Sequence, residues 1–183
     1  MIGLLLKDYW LLNLGRLTLQ EARRWQMEMA ARRRFNASRD LLAFWQPQTQ
    51  DGLSNVGQLV AFAIFHPYRL SGELTLEELR IGLTEAVRQT LADFGLQGGI
   101  GGNQVWVNDR TMARVECMRD DGVLLGEVYI EALLISEFLM KGIPSGQLSN
   151  GVAFHIEEIF GYAASALHPV AYEEQMRPQD KLL

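Results

Sequence analysis

Two helix-capping sequences divide the first half of the chain and limit its fold more than any other feature. Thr18-Leu-Gln-Glu21 and Thr75-Leu-Glu-Glu78 each place a threonine three residues before a glutamate. In such a capping box, the two side chains satisfy backbone amides that the first turn of a helix leaves unpaired. We therefore expect one helix over Leu19–Arg34 and a second over Leu76–Phe94, which Gly95 ends.

Apolar segments before, between and after these helices predict strands. Three lie in the first part of the chain, at Tyr9–Leu14, Asp40–Trp45 and Gln58–Phe65. Three more follow the second helix as a meander, at Gln104–Val107, Met112–Arg119 and Val123–Ile135, with turns at Asn108–Arg110 and Asp120–Gly122. Strands that first alternate with helices and then follow one another are typical of the α+β class, so we expect a mixed β-sheet flanked by helices.

The connecting segments carry weaker signals. Proline and glycine in Gln46–Val56 predict a polar loop. Gly98–Gly102 predicts a flexible connection and not a phosphate loop, because the lysine of a phosphate loop does not follow it. The segment Gly142–Asn150 is expected to be a loop, with short helical pieces after it at Ala153–Phe160 and Ala163–Leu167.

Size and composition limit the class of protein. A chain of 183 residues fits a single domain, 1–183, around one hydrophobic core. Its one cysteine, Cys117, excludes an internal disulfide framework and fits a reducing compartment, so we expect a cytoplasmic protein. No apolar run approaches the roughly 18 residues of a membrane span, and the net charge of −5 argues against a nucleic-acid surface. No two of the three histidines are spaced four residues apart, as ligands on one helix face would be, so we expect no metal site. We also expect no cofactor.

Several segments, taken in order, carry a resemblance to one family. They are Arg24-Trp-Gln26 on the first helix, Gly57-Gln-Leu-Val-Ala-Phe-Ala-Ile64, Gln104-Val-Trp-Val-Asn-Asp-Arg110, and Pro144-Ser-Gly-Gln147 followed after three residues by Gly151-Val152. Together they resemble the lipoyl(octanoyl) transferases of the biotin/lipoate protein ligase superfamily. The resemblance covers the chain from Leu12 to Gly161 and implies the fold of that superfamily.

The resemblance also implies a reaction, and the residues that perform it are replaced. Lipoyl(octanoyl) transferases move an eight-carbon acyl group from acyl carrier protein to a lysine of a lipoyl domain, through a thioester on a loop cysteine that a strand lysine activates. Ser145 occupies the cysteine position here, and Thr111 occupies the lysine position. A serine hydroxyl is a much weaker nucleophile than a thiolate and needs an adjacent base, while threonine supplies no positive charge.

Three further departures surround these two. Ser54–Val56 replaces a His-Gly-Pro of the family, and Gly126-Glu127 replaces a later His-Gly pair, which brings a carboxylate to a backbone-lined acyl site. The family's Arg-Gly-Gly loop is shortened to Gln46–Leu53. The matching positions that we expect to contact a substrate are Gly57, Gln58 and Gly146.

Two functions follow from these substitutions. The first hypothesis is a catalytically degenerate member of the family that acts as an interaction or scaffold protein. The alternative is an active octanoyl- or lipoyl-transferase with altered site residues, completed by a partner subunit. In that case Ser145 needs Lys141 or His155 as its base; otherwise it is an ordinary turn residue. Cys117 alternates with apolar residues on one strand, so we interpret it as a buried small hydrophobe and not as a relocated nucleophile.

Positive charge is concentrated in the first helix. The segment Arg16–Arg39 holds seven arginines and two glutamates, a net charge of +5 within a chain of −5. A basic face suits an acidic protein partner, and in the resembling family the substrates are carried on small acidic domains. The expected partner is thus an acidic carrier domain or a larger complex, bound by Arg23, Arg24, Arg32, Arg33 and Arg34. The alternative is a solvated helix face that binds no partner.

Overall fold

The computed structural model describes residues 7–35, 39–48, 58–69 and 72–166. The strands are β1 (Lys7–Leu17), β2 (Asp40–Pro47), β3 (Leu59–Phe65), β4 (Tyr68–Arg69), β5 (Gly72–Glu73), β6 (Gly99–Gly101), β7 (Gln104–Val107), β8 (Arg110–Asp120), β9 (Val123–Ile130) and β10 (Tyr162–Ala166). The helices are α1 (Leu19–Arg34), α2 (Leu76–Asp93), α3 (Ala132–Met140) and α4 (Ser145–Phe160). No helix in these four segments is long and apolar enough to cross a membrane.

Eight of the strands form one mixed sheet in the order β10-β1-β2-β3-β9-β8-β7-β6. β1 is parallel to both of its neighbours, β2 and β10, whereas the other neighbouring pairs are antiparallel. β4 and β5 form a separate two-stranded hairpin. This architecture confirms the predicted α+β class with a mixed sheet flanked by helices.

Helices cover both faces of the sheet. α1 packs on one face through Trp25 and Met29. α2, α3 and α4 pack on the other face, where Leu83 and Val152 belong to one core cluster. β3 lies between the two layers: all of its residues are buried, and alternate side chains contact opposite helical layers. A strand covered on both faces needs a continuous apolar sequence, which explains why Leu59–Phe65 contains no polar residue.

Both capping boxes form as predicted. Thr18 Oγ1 accepts a hydrogen bond from the Glu21 amide at 3.2 Å, and the Glu21 carboxylate accepts one from the Thr18 amide at 2.8 Å. Thr75 and Glu78 make the same two bonds at the start of α2. Gly95 follows the end of α2 with a φ of +79°, a left-handed conformation that favours glycine at this position.

The predicted strand Val123–Ile135 is too long. β9 ends at Ile130, and the following residues form α3. An uninterrupted apolar run does not distinguish a strand from a buried helix. The helical spacing shows in the burial, because Leu134 and Phe138 lie one turn apart and are both buried.

Two predictions for the last part of the described chain were also wrong, whereas the predicted helical piece Ala153–Phe160 does lie in a helix. The segment predicted as the loop Gly142–Asn150 becomes helical at Ser145, and α4 then continues without a break to Phe160. The predicted helical piece Ala163–Leu167 is part of β10 as far as Ala166 and pairs with β1. Alanine favours helix locally, but the backbone of β1 offers hydrogen-bond partners that override this preference.

Two connections also differ from their predictions. Gly98–Gly102 is not a free linker, because Gly99–Gly101 pairs with β7 as an edge strand. Of the predicted loop Gln46–Val56, Gln46 and Pro47 belong to β2, whereas residues 49–57 lie outside the described part of the chain.

Candidate functional site

Ser145 is the first residue of α4 and is half-buried. Its hydroxyl oxygen accepts a hydrogen bond from Gln46 Nε2 at 3.4 Å, which is a long and weak bond. The serine borders a cavity of about 170 Å³ with mixed polar and apolar walls. The lining residues are Asn13, Gly15, Arg16, Phe44, Trp45, Gln46, Leu59, Ser145, Gly146 and Ser149.

Neither candidate base contacts Ser145. Lys141 is exposed, and His155 lies ten residues further along α4, about 15 Å along the helix axis. His155 Nε2 is 2.7 Å from Asp93 Oδ2, while Nδ1 is 3.3 Å from Glu158 Oε2 without hydrogen-bond alignment. The imidazole therefore joins the end of α2 to α4, and no base is paired with Ser145 among the residues that the structure describes.

Thr111 lies near the start of β8 and is half-buried. Its hydroxyl donates to Gln104 Oε1 at 3.5 Å, the upper limit for a hydrogen bond. Thr111 is paired with Trp106 across the β7–β8 ladder, and its side chain carries no charge. It therefore supplies no positive charge to a nucleophile; a cationic side chain that does border the Ser145 cavity is that of Arg16.

The candidate substrate-binding residues lie at one end of the central strands. Gln58 precedes β3, and its Nε2 donates to Glu131 Oε2 at 3.2 Å. The Glu131 amide in turn donates to the Met112 carbonyl at 2.9 Å, next to Thr111. Gly146 is exposed beside the Ser145 cavity, with open space where a side chain would begin. Gly57 lies outside the described residues.

Glu127 is a buried carboxylate on the face of the sheet that α1 covers. It is 3% exposed and accepts hydrogen bonds from Gln26 Nε2 at 2.9 Å, from Arg23 and from Tyr129. Burial and the bond to Glu127 raise the pKa of the Tyr129 phenol, which keeps it protonated and able to donate. The sequence identified Glu127 as a departure from the family, but it did not identify the residues that bind the Glu127 carboxylate. The one available signal was that Arg23 and Gln26, spaced i, i+3, lie on the same face of α1.

Gly126 faces the opposite helical layer and allows α2 to approach the sheet. A Cβ atom at this position would lie 2.4 Å from Leu83 Cδ1, closer than carbon atoms pack. A larger residue here, such as the histidine that the resemblance implies, would require the Leu83 side chain to move.

Most of the arginines predicted to bind a partner form ion pairs within the chain. Arg23 pairs with Glu127, Arg32 with Glu28, Arg33 with Asp40, and Arg34 with both Asp120 and Asp121. Arg33 is only 8% exposed, so the expectation that it faces solvent was wrong. Arg24 is exposed and makes no ion pair with any residue in the described segments.

Cys117 is half-buried on the α2 side of β8, beside the core. Burial raises the pKa of its thiol to about 12, so the thiolate is scarce near neutral pH. These properties agree with the interpretation of Cys117 as a small hydrophobe.

No protein-family model and no curated protein matches the chain. Solved structures do match. A chain from an archaeal lipoylation system, a bipartite lipoate protein ligase and its lipoyl domain from Thermoplasma acidophilum, has a TM-score of 0.61 and 11% identity, over 91% of this chain and 90% of that one. Lipoate-protein ligase A bound with ATP has a TM-score of 0.60 and 9% identity, over 92% of each chain. Biotin protein ligase from Aquifex aeolicus has a TM-score of 0.56 and 15% identity, over 85% of this chain and 69% of that one. The chain therefore has the fold of the lipoate and biotin protein ligases.

Proposed function

We propose that this chain is a single-domain, cytoplasmic, catalytically degenerate relative of the octanoyl and lipoyl transferases that acts as an interaction or scaffold subunit. The observation that carries the proposal is the environment of Ser145. Among the residues that the structure describes, its hydroxyl forms a hydrogen bond only with Gln46, Lys141 is exposed, and His155 is paired with Asp93. A serine without a base does not attack an acyl carbonyl at a useful rate.

The surroundings of Ser145 support the same proposal. Thr111 supplies no positive charge at the position of the family's lysine. Arg23, Gln26 and Tyr129 donate hydrogen bonds to the buried Glu127 carboxylate, at a position where the resemblance implies an acyl site. An aliphatic chain gains nothing by displacing such a cluster, because each of its polar groups would lose a partner.

The experiment is an octanoyl-transfer assay with octanoyl-acyl carrier protein as donor and a lipoyl domain as acceptor. We expect the wild type to match both the Ser145→Ala variant and the protein-free background. Intact-mass measurement of the protein after incubation should show no acyl adduct on Ser145 or Cys117. Transfer above background that Ser145→Ala abolishes would overturn the proposal.

A second candidate is an active acyltransferase whose site a partner subunit completes. It is favoured by the likeness to the lipoate protein ligase of T. acidophilum, which is itself bipartite. The discriminating measurement is the same assay with proteins that co-purify with this chain. Transfer that requires both components and is lost in Ser145→Ala supports this second function; transfer that is unchanged in Ser145→Ala assigns the chemistry to the partner alone.

A further inference from the structure

α1 covers only part of its face of the sheet. It packs against β1, β2, β3 and β9, and Arg34 at its end reaches the tip of the β8–β9 hairpin. Beyond β9, the large apolar side chains of β7 and β8 on this face are accessible: Trp106 is 38% exposed and Met118 is 50% exposed. No element within the four described segments buries them.

The strand register joins these side chains into one surface. Arg114, Glu116 and Met118 are alternate residues of β8 and therefore share a face, while the residues between them lie on the α2 side. Trp106 is paired with Thr111 on β8, so it lies beside the start of that strand. We call this surface the β7–β8 face; it consists of Trp106, Arg114, Glu116 and Met118.

The charges of the β7–β8 face are self-complementary. Arg114 Nε is 3.2 Å from Glu116 Oε1 in the same chain, and about half of each side chain is exposed. An exposed pair of this kind contributes little to stability, so each side chain can exchange its partner at little cost. A surface that offers a cation and an anion side by side fits a second copy of itself turned through a half rotation.

We infer that the β7–β8 face binds the same face of a second copy of this chain. A two-fold axis makes such an interface isologous, so that every contact occurs twice. An axis that lies in the interface and crosses β8 at right angles, at Val115, places Arg114 opposite Glu116 of the second copy. The same axis places Glu116 opposite Arg114 of the second copy, and the four charges alternate.

The apolar side chains of the face also match under this axis. Met118 lies beyond Val115 on β8, and Trp106 lies at a similar distance before it, at the level of Thr111. The axis therefore brings Met118 of each copy level with Trp106 of the other. Contacts between a methionine sulfur and an aromatic ring are favourable, and both residue types are enriched at protein interfaces.

The β7–β8 face is small, which predicts a weak dimer. It spans about three strands and eight residues, roughly 14 by 26 Å for ordinary strand spacing and rise. This area is about half of the ~800 Å² that each partner buries in a stable interface, so the dimer belongs to the weak, transient class. The contact goes beyond the proposed scaffold function and does not depend on it, because its test involves no acyl substrate.

The test is sedimentation velocity of the full-length protein over a concentration series that reaches the millimolar range. We expect a monomer–dimer equilibrium whose dissociation constant rises with salt concentration. Arg114→Glu and Glu116→Arg, each alone, should weaken the dimer at least about tenfold, because each brings like charges together across the axis. Arg110→Glu is the matched control: Arg110 is exposed on the same strand but is paired with Val107, on the α2 side of the sheet. It should leave the dissociation constant close to that of the wild type.

A mixture of the two interface variants separates lost charge complementarity from lost folding. Arg114→Glu presents two carboxylates and Glu116→Arg presents two guanidinium groups, so the two proteins in equal amounts should form a heterodimer that neither forms alone. A wild type that stays monomeric throughout the concentration series would overturn the proposal. So would equal losses in Arg114→Glu and Arg110→Glu, or a mixture that is no more dimeric than its separate components.

Discussion

Asp40, at the start of β2, is a fully buried carboxylate that connects four parts of the fold. It accepts hydrogen bonds from Arg33 Nε at 2.6 Å, from the His66 amide at 2.8 Å and from the Tyr162 hydroxyl at 2.6 Å. These donors come from the last turn of α1, the residue after β3, and β10. A buried carboxylate with this many donors is satisfied. The loss of its charge removes one side of a buried ion pair with Arg33.

We expect Asp40→Asn to lower the free energy of unfolding by about 3–5 kcal/mol, the usual cost of breaking a buried ion pair from one side. Asparagine keeps the size and one oxygen acceptor but removes the charge that balances Arg33. Urea denaturation followed by circular dichroism measures the change in midpoint at constant slope.

Asp120→Asn is the matched control for this prediction. Asp120 also pairs with an arginine of α1, at 3.0 Å from Arg34, but about half of its side chain is exposed. An exposed pair of this kind contributes under about 1 kcal/mol, so the variant should unfold close to the wild-type midpoint. Equal losses in the two variants would show that burial does not determine the contribution of the Asp40 pair.

At the scale of elements, the sequence predicted what short-range interactions determine. Thr18 and Thr75 lie three residues from their capping partners, so both helix starts were predictable. β10 and the Asp40 network were not, because Tyr162 contacts Asp40 across 122 positions of the chain. The same limit applied to the candidate site. Ser145 and Thr111 could be matched to family positions, but two of the three donors to Glu127, Arg23 and Gln26, come from α1, 104 and 101 positions away.

The structure changes the prediction that the arginines of α1 bind an acidic partner. Arg33 stabilises the fold through Asp40, and Arg23 does so through Glu127. Arg24 is exposed and makes no ion pair with a described residue, and Arg32 pairs with the exposed Glu28 at 2.6 Å, a surface pair within one helix. Binding of an acidic partner to α1 therefore stays a prediction, on a surface smaller than the five arginines.

We expect the double change Arg24→Glu and Arg32→Glu to reduce recovery of an acidic partner, because association steered by exposed charge weakens when that charge is reversed. Raising the salt concentration should weaken wild-type recovery in the same direction, since exposed charges are screened beyond about 8 Å at physiological ionic strength. Pull-downs at low and high salt measure both effects. The double change Arg110→Glu and Arg114→Glu, at exposed positions of β8, lowers the net charge by the same amount outside α1 and is the control. Equal recovery for all proteins at both salt concentrations would leave the basic face with no role in partner binding.

At the scale of the whole molecule, the positions that the resemblance matches to the transferase family come from different elements. Gln58 precedes β3, Thr111 is the second residue of β8 and Ser145 begins α4, whereas Glu127 lies in the middle of β9, opposite Phe62 and Glu116. Each is also tied to a neighbour in the present fold, as Gln58 is to Glu131 and Glu127 is to α1. Restoring the chemistry therefore requires more than restoring the reactive atoms, because the acyl chain must also be held in position.

We expect the double change Ser145→Cys and Thr111→Lys to leave octanoyl transfer at background. This double variant restores a thiol and a cation. The Glu127 carboxylate and its three donors remain in place, however, so an eight-carbon chain would meet a polar cluster and not an apolar surface. Mass spectrometry after brief iodoacetamide treatment provides the control, since alkylation of the introduced thiol in the folded protein shows that it is accessible and reactive. If the introduced thiol is alkylated readily but transfer stays at background, the missing acyl-binding site explains why the double variant is inactive. Turnover by this double variant would instead mean that the two substitutions alone silence the site, and that the Glu127 cluster does not exclude the acyl chain.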